Sequence, residues 1–211
     1  MRISLIGSGR VATHLAQVLT HAHQIVQVYS PQLAHAQLLA DLVSAQAISS
    51  YDELDATMDL VVIAVSDQVI AHVIADISAL LPEVLIVHTS GSTDLAVLSE
   101  KHARAGVFYP LQTFSFGQQI DWQNTPIFVE ATTQNDVTLL MHLANSLSKR
   151  IYHYSSSQRL SLHLAAVFAS NFTNYCYDMA QQIVDAEQVD FSLLHPLMLA
   201  TAQKAILNAP C

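Results

Sequence analysis

Basic charge is what this 211-residue chain has least of: eight Lys and Arg stand against seventeen Asp and Glu, a formal charge of -9 with neutral His. A phosphate backbone is bound by clustered cations, and none cluster here, so nucleic acid and anionic membrane surfaces are not expected partners. Charged residues of both signs make up only 12% of the chain, whereas 52% is hydrophobic, a composition that excludes intrinsic disorder. Cysteine is nearly absent. Cys176 and Cys211 have no ligand spacing, which points to a reducing, cytoplasmic setting rather than a disulfide or metal framework. A long uninterrupted apolar run is also missing. The charge-free stretch Leu160 to Tyr177 carries His163, Ser170, Asn171, Thr173 and Asn174, too polar a load for a membrane span, and the N-terminal run Ile3 to Ile6 is too short for a secretion signal.

What the chain does have is alternation. Ile3 to Ile6 reads as a buried strand, and Val11, Leu15, Val18 and Leu19 then repeat on one helical face. Ile25 to Tyr29 is a second strand, Leu33 to Val43 a second helix, and Ile48 marks a short third strand. Asp59 to Val65 and Val84 to Val87 are apolar on both faces, as central parallel strands must be. A helix is expected from Asp94 to about His102 behind the caps Ser92 and Thr93, and another from Asn135 to Leu147. Strands are expected at Val107 to Tyr109, Ile127 to Glu130 and Ile151 to Tyr154. The pattern predicts an α/β fold, doubly wound, over residues 1–155. After Ser155-Ser156-Ser157 no strand signal returns. Residues 156–211 read as a short all-α domain of two helices, Gln158 to Ala186 and Phe191 to Leu207, which must cover the sheet domain or a second subunit.

Gly7-Ser8-Gly9-Arg10-Val11-Ala12 is G-x-G-x-x-A between the first strand and the first helix. Such glycines permit a tight turn and let backbone approach a pyrophosphate, which the helix N-terminus then holds. Gly7, Ser8, Gly9, Arg10 and Val11 are therefore the expected cofactor-binding residues of a Rossmann-type dinucleotide domain. At the end of the second strand, where an acid would hold the ribose of NAD, stands Tyr29-Ser30-Pro31. The missing acid favours NADP with Ser30 at the adenosine ribose, and NAD stays open because no Arg or Lys follows. Val65 and Ser66 end the fourth strand and Thr89 follows the fifth, so these three are expected on the nicotinamide side. Ser90 is expected to meet the substrate.

In the helix from Gln158, His163, Ser170, Asn171, Asn174 and Asp178 fall at offsets of 0, +7, +8, +11 and +15, a polar stripe on one face of a 3.6-residue period. His163 is the one side chain there able to exchange a proton near neutral pH. Ser146 to Lys149 fits S-x-x-K but lacks that signature's companion motifs, and His21 and His23 lack partners at metal-ligand spacing. No metal is expected.

Four segments in order resemble one bacterial family: Gly7 to Ala16, Ala64-Val65-Ser66-Asp67, His88-Thr89-Ser90-Gly91-Ser92 and Tyr109-Pro110-Leu111-Gln112-Thr113-Phe114. It is a family of Rossmann-like NADP oxidoreductases with a C-terminal helical domain of unknown function, whose signature His163 to Asn174 resembles. More distantly the chain is similar to pyrroline-5-carboxylate reductases, deazaflavin-dependent NADP reductases and β-hydroxyacid dehydrogenases. The resemblance implies a homodimer through the C-terminal helices and a substrate cleft between domains. It departs in three places: Val167 and Ser170 stand where a dehydrogenase lysine would precede Asn171 and Asn174, Tyr109 replaces a usual His, and the helical domain is expected to be truncated after Asn208.

The resulting expectation is an NADP-dependent oxidoreductase moving a hydride to or from a small carbonyl or imine, with His163, Ser90 and Asn171 as catalytic residues. The alternatives are a dinucleotide-binding sensor or scaffold without turnover, or a domain for a flavin or S-adenosylmethionine.

Overall fold

The computed structural model describes residues 1–207; Cys211 lies outside them. The chain divides into two compact units, Met1–His163 and a second beginning at Leu164.

In the first unit eight strands form one sheet: β1 (Arg2–Ile6), β2 (Gln24–Tyr29), β3 (Gln46–Ile48), β4 (Leu60–Ile63), β5 (Leu85–His88), β6 (Ala105–Pro110), β7 (Ile127–Ala131) and β8 (Ile151–His153). Their spatial order is β3-β2-β1-β4-β5-β6-β7-β8. β1 to β6 are parallel, and β7 joins β6 antiparallel through the register Pro110↔Ile127 to Gly106↔Ala131. The chain winds outward from β1 to β3 and returns to β4 on the other side of β1, leaving a crevice beyond the C-terminal ends of β1 and β4.

The runs that lack alternation are buried on both faces. Leu60 and Val62 pack with α1 (Arg10–Leu19), α2 (Leu33–Val43) and α5 (Gln134–Asn145), while Val61 and Ile63 pack with α3 (Asp67–Ile77) and α4 (Ala96–Ser99). On that second face a smaller cluster of Val107, Tyr109 and Phe128 is joined by Leu162 of α6 (Ser156–Ala166). The composition change after residue 155 and the division after 163 do not coincide, because the first turns of α6 are bonded to β7 and to the turn after β5.

Two expected helices come out differently. The one expected from Asp94 to His102 is reduced to α4, because Ser90 Oγ accepts the N–H groups of Ser92 and Thr93 and holds that stretch as a turn. The one expected to run unbroken from Gln158 to Ala186 is α6, a π-helical segment Val167–Phe172, and α7 (Thr173–Ala186). Thr173 Oγ1 donates to the carbonyl of Phe168, five residues back, where the ladder widens. The stripe from His163 to Asp178 assumes one α-helical period, and the π segment shifts its second half out of phase. Beyond α7 the second unit holds a 3-10 turn, Phe191–Leu194, and α8 (His195–Leu207) with Pro196 in its first turn, where proline is tolerated. Among the described residues no side chain of the second unit is buried.

Candidate functional site at the C-terminal strand edge

The turn after β1 is built for close approach. Gly7 has φ +116, and a Cβ on it would collide with the backbone carbonyl of Ala64 at the end of β4. Gly9 has nothing within 4 Å of where a Cβ would stand, and it starts α1 without any side-chain cap. The first turn of α1 is thus left without a side-chain cap, which suits an anionic group such as a pyrophosphate. Ser8 and Val11 are half-buried beside this turn and Arg10 is exposed, its guanidinium 5.8 Å from the centroid of Phe116. A cavity of about 410 Å³ lies here, lined by Ser8, Gly9, Thr13, His35, Leu38 and Phe116. Larger cavities of 640 and 770 Å³ open around Met1 and Asp59, flanking the N-terminal ends of β1 and β4, away from the edge where such sheets hold ligands.

The other expected cofactor residues sit at the same edge. Ser30 is buried, its hydroxyl makes no hydrogen bond among the described residues, and its N–H donates to the carbonyl of Ile48. Val65 is half-buried and Ser66 exposed between β4 and α3. Thr89 continues β5, and its N–H donates to the Ile63 carbonyl at 3.2 Å.

Three chain segments converge beside them. The Tyr109 hydroxyl, near the end of β6, lies 3.0 Å from His163 Nδ1 on α6, with the rings edge-on at 5.9 Å. Gly91, in the turn after β5, closes the group: a Cβ there would overlap His163 Nδ1 and stand 2.7 Å from Tyr109 Cζ. Burial pushes the Tyr109 phenol up to about 12, the Arg159 guanidinium opposing and Asp67 adding to the rise. The phenol therefore keeps its proton, and its one hydrogen-bond partner among the described residues is His163 Nδ1.

Ser90 is buried, with its Oγ taken up by the N–H groups of Ser92 (3.1 Å) and Thr93 (2.9 Å). Its own N–H donates to His88 Nδ1 at 3.1 Å. The Ser92 hydroxyl donates to the Asp67 carboxylate. Asn171 belongs to the second unit, within the π segment.

Two groups under this turn went unseen in the sequence. Arg159 is 1% exposed and is held by the Glu130 carboxylate, the Thr93 carbonyl and Ser156 Oγ. His88 is fully buried, and burial, followed by the Arg159 charge, pushes it down to about 3. Its Nε2 and Arg159 Nε have no hydrogen-bond partner among the described residues. Because folding binds His88 only as the neutral ring while the unfolded ring titrates near 6.5, stability falls as pH drops from there toward 3. The His88 ring resonances are expected not to titrate between about pH 8 and 5, within the window where an ordinary histidine does; a midpoint near 6.5 by NMR would contradict this. An apolar run such as Leu85-Ile86-Val87-His88 carries one signal for it, a histidine where both strand faces are covered.

Residues 2–91 match the model of the family described as NADP oxidoreductase, coenzyme F420-dependent, and residues 125–210 match a domain of unknown function, DUF2520. BF3122 of Bacteroides fragilis, a candidate NADP oxidoreductase, is 37% identical over 99% of this chain and 82% of its own, with a TM-score of 0.92. The chain belongs to this family. Its fold is shared more widely. TM1727 of Thermotoga maritima is 20% identical (TM-score 0.75, 98% of this chain, 79% of that one), and an imine reductase of Myxococcus stipitatus in complex with NADP+ is 17% identical (TM-score 0.77, 98% and 75%). No curated protein matches in sequence. Among the described residues there is no helix long and apolar enough to cross a membrane and no group of three His, Cys, Asp or Glu that could hold a metal ion.

Proposed function

We propose that this family member is an NADP-dependent oxidoreductase that moves a hydride between nicotinamide and a small carbonyl or imine, with His163 delivering the proton. The observation that carries the reading is the meeting of Tyr109, His163 and Gly91 at the strand edge that also bears the Gly7–Ala12 turn. The cofactor supplies the hydride; the chain binds, orients and handles the proton. Gly7 to Val11 present the first-turn N–H groups of α1 to the pyrophosphate, and Arg10 adds positive charge. Ser30 faces the adenosine ribose, where its unbonded hydroxyl and the lack of an acid suit a 2′-phosphate. Val65, Ser66 and Thr89 border the nicotinamide side, and Ser90 orients the substrate through the turn it holds.

Reduction of C=O or C=N adds hydride to carbon and a proton to the heteroatom. His163 Nε2–H gives that proton as the Tyr109 hydroxyl passes its own to Nδ1, so the ring stays neutral and the phenolate left behind takes a proton back from solvent. The second unit leaves Ile183 71%, Leu193 70% and Leu197 64% exposed, and a second copy of the chain covering them is the homodimer we propose.

Titration with NADPH and NADH, followed by nicotinamide fluorescence, is expected to show tighter binding of NADPH. Binding of neither would overturn the assignment. His163→Ala is expected to lower turnover of a carbonyl and imine panel by about 10²–10⁴-fold with little change in NADPH affinity. Equal losses in both would remove its catalytic role.

A further inference from the structure

We propose that Arg159 is the positioning residue for His163: its buried guanidinium, clamped between Glu130 and the turn after β5, fixes where the imidazole stands and which nitrogen carries its proton. The inference rests on the reading of His163 as proton donor.

Arg159 and His163 are four residues apart on α6, so they occupy one face on successive turns. Arg159 Nη1 donates to Glu130 Oε2 at 2.6 Å, and Nη2 donates to the Thr93 carbonyl and, at 3.1 Å, to Ser156 Oγ. Glu130 also accepts the Ser156 N–H at 2.9 Å and its hydroxyl at 2.7 Å. Ser156 Oγ in turn accepts the Leu95 N–H at 2.9 Å. One planar fork therefore ties the start of α6 to β7 and to the turn holding Ser90, Gly91 and Thr93. That same turn puts Gly91 against the His163 ring. A lysine ammonium on a flexible stem cannot reproduce a rigid fork of this kind.

Apart from the guanidinium, the Leu95–Ser156 bond and the Gly91–His163 contact join turn and helix at single points; the guanidinium adds a rigid fork that fixes their register. The Tyr109–Nδ1 bond depends on the result, since a shift of one ångström breaks a 3.0 Å hydrogen bond. When it breaks, nothing selects the Nε2–H tautomer.

The test is 15N-edited NMR of the histidine rings in the full chain. Unaltered protein is expected to show His163 as a single tautomer with Nδ1 unprotonated. In folded Arg159→Lys the two ring-nitrogen shifts are expected to converge, with NADPH affinity unchanged and turnover down by about 10–100-fold. The double variant with His163→Ala is expected to lose no more than His163→Ala alone. An unmoved tautomer in folded Arg159→Lys overturns the proposal; so does a further loss in the double variant, which marks a structural role only. A moved tautomer with undiminished turnover upholds the positioning and overturns the proton-donor reading. Should Arg159→Lys fail to fold, Ser156→Ala removes that hydroxyl's bonds to Nη2, Glu130 and the Leu95 N–H and leaves the Arg159–Glu130 ion pair. A shift in the same direction supports the proposal, and none overturns it.

Discussion

Glu130→Ala is expected to lower stability by about 3–5 kcal/mol, and with it the melting temperature by on the order of 10 °C. Its partner Arg159 is 1% exposed and, among the described residues, has no second carboxylate within bonding distance. Removing Glu130 leaves a guanidinium in a desolvated place with only the Thr93 carbonyl and Ser156 Oγ to hold it. The Ser156 N–H loses its acceptor as well. A surface ion pair would cost under about 1 kcal/mol, so thermal or urea unfolding separates the two cases clearly. The pair of Arg104 with Asp136 offers an internal contrast: Asp136 is buried but Arg104 is 36% exposed, so Arg104 keeps water when its partner is removed. Loss of under about 1 kcal/mol in Glu130→Ala would show that Arg159 finds solvent or another acceptor.

Gly7→Ala is expected to cost about 2–4 kcal/mol and to abolish NADPH binding. Two effects add. The φ of +116 is one that side-chain-bearing residues rarely adopt, and the new Cβ would collide with the Ala64 carbonyl, which is backbone and cannot swing aside. Relief requires the turn to move away from β4, which opens the crevice between β1 and β4. Gly9→Ala is the informative companion. Gly9 has φ -80 and ψ -171, ordinary extended backbone, and open space where its Cβ would stand. Gly9→Ala is therefore expected to fold with nearly unchanged stability while NADPH affinity falls, because the methyl enters the space before the α1 N-terminus. Equal NADPH affinity in Gly9→Ala and the unaltered chain would remove the Gly turn from the cofactor site.

Much of this arrangement was legible in residue order. Local signals carried it: runs such as Leu60 to Ile63, which lack alternation because both faces are covered, and glycines placed between a strand and a helix. Strand ends could be ranked along one edge from the parallel pattern alone, which brought out Ser66, Thr89 and Ser90 together with the Gly7 turn. His163 stood out as a titratable group inside an apolar helix. Tyr109 was visible only as a departure from the family, and its hydroxyl gained meaning once β6 and α6 were brought to 3.0 Å.

What residue order alone determined, then, is the winding of the sheet, the position of the Gly7–Ala12 turn and the candidate proton donor, since each depends on contacts or periods within a few residues. Tertiary structure decided the rest. Glu130 and Arg159 are 29 residues apart in sequence and Arg159 and Thr93 are 66 apart, and nothing in the local sequence distinguishes Glu130 and Arg159 from solvated surface charges. The antiparallel turn-back of β7 against β6 carries Glu130 to the face where α6 begins. The break of the long helix at Val167–Phe172 likewise depends on which carbonyl each N–H finds, a choice that the side-chain period does not encode. Long-range pairing costs chain entropy that only the assembled core offsets, so it leaves no local trace to read.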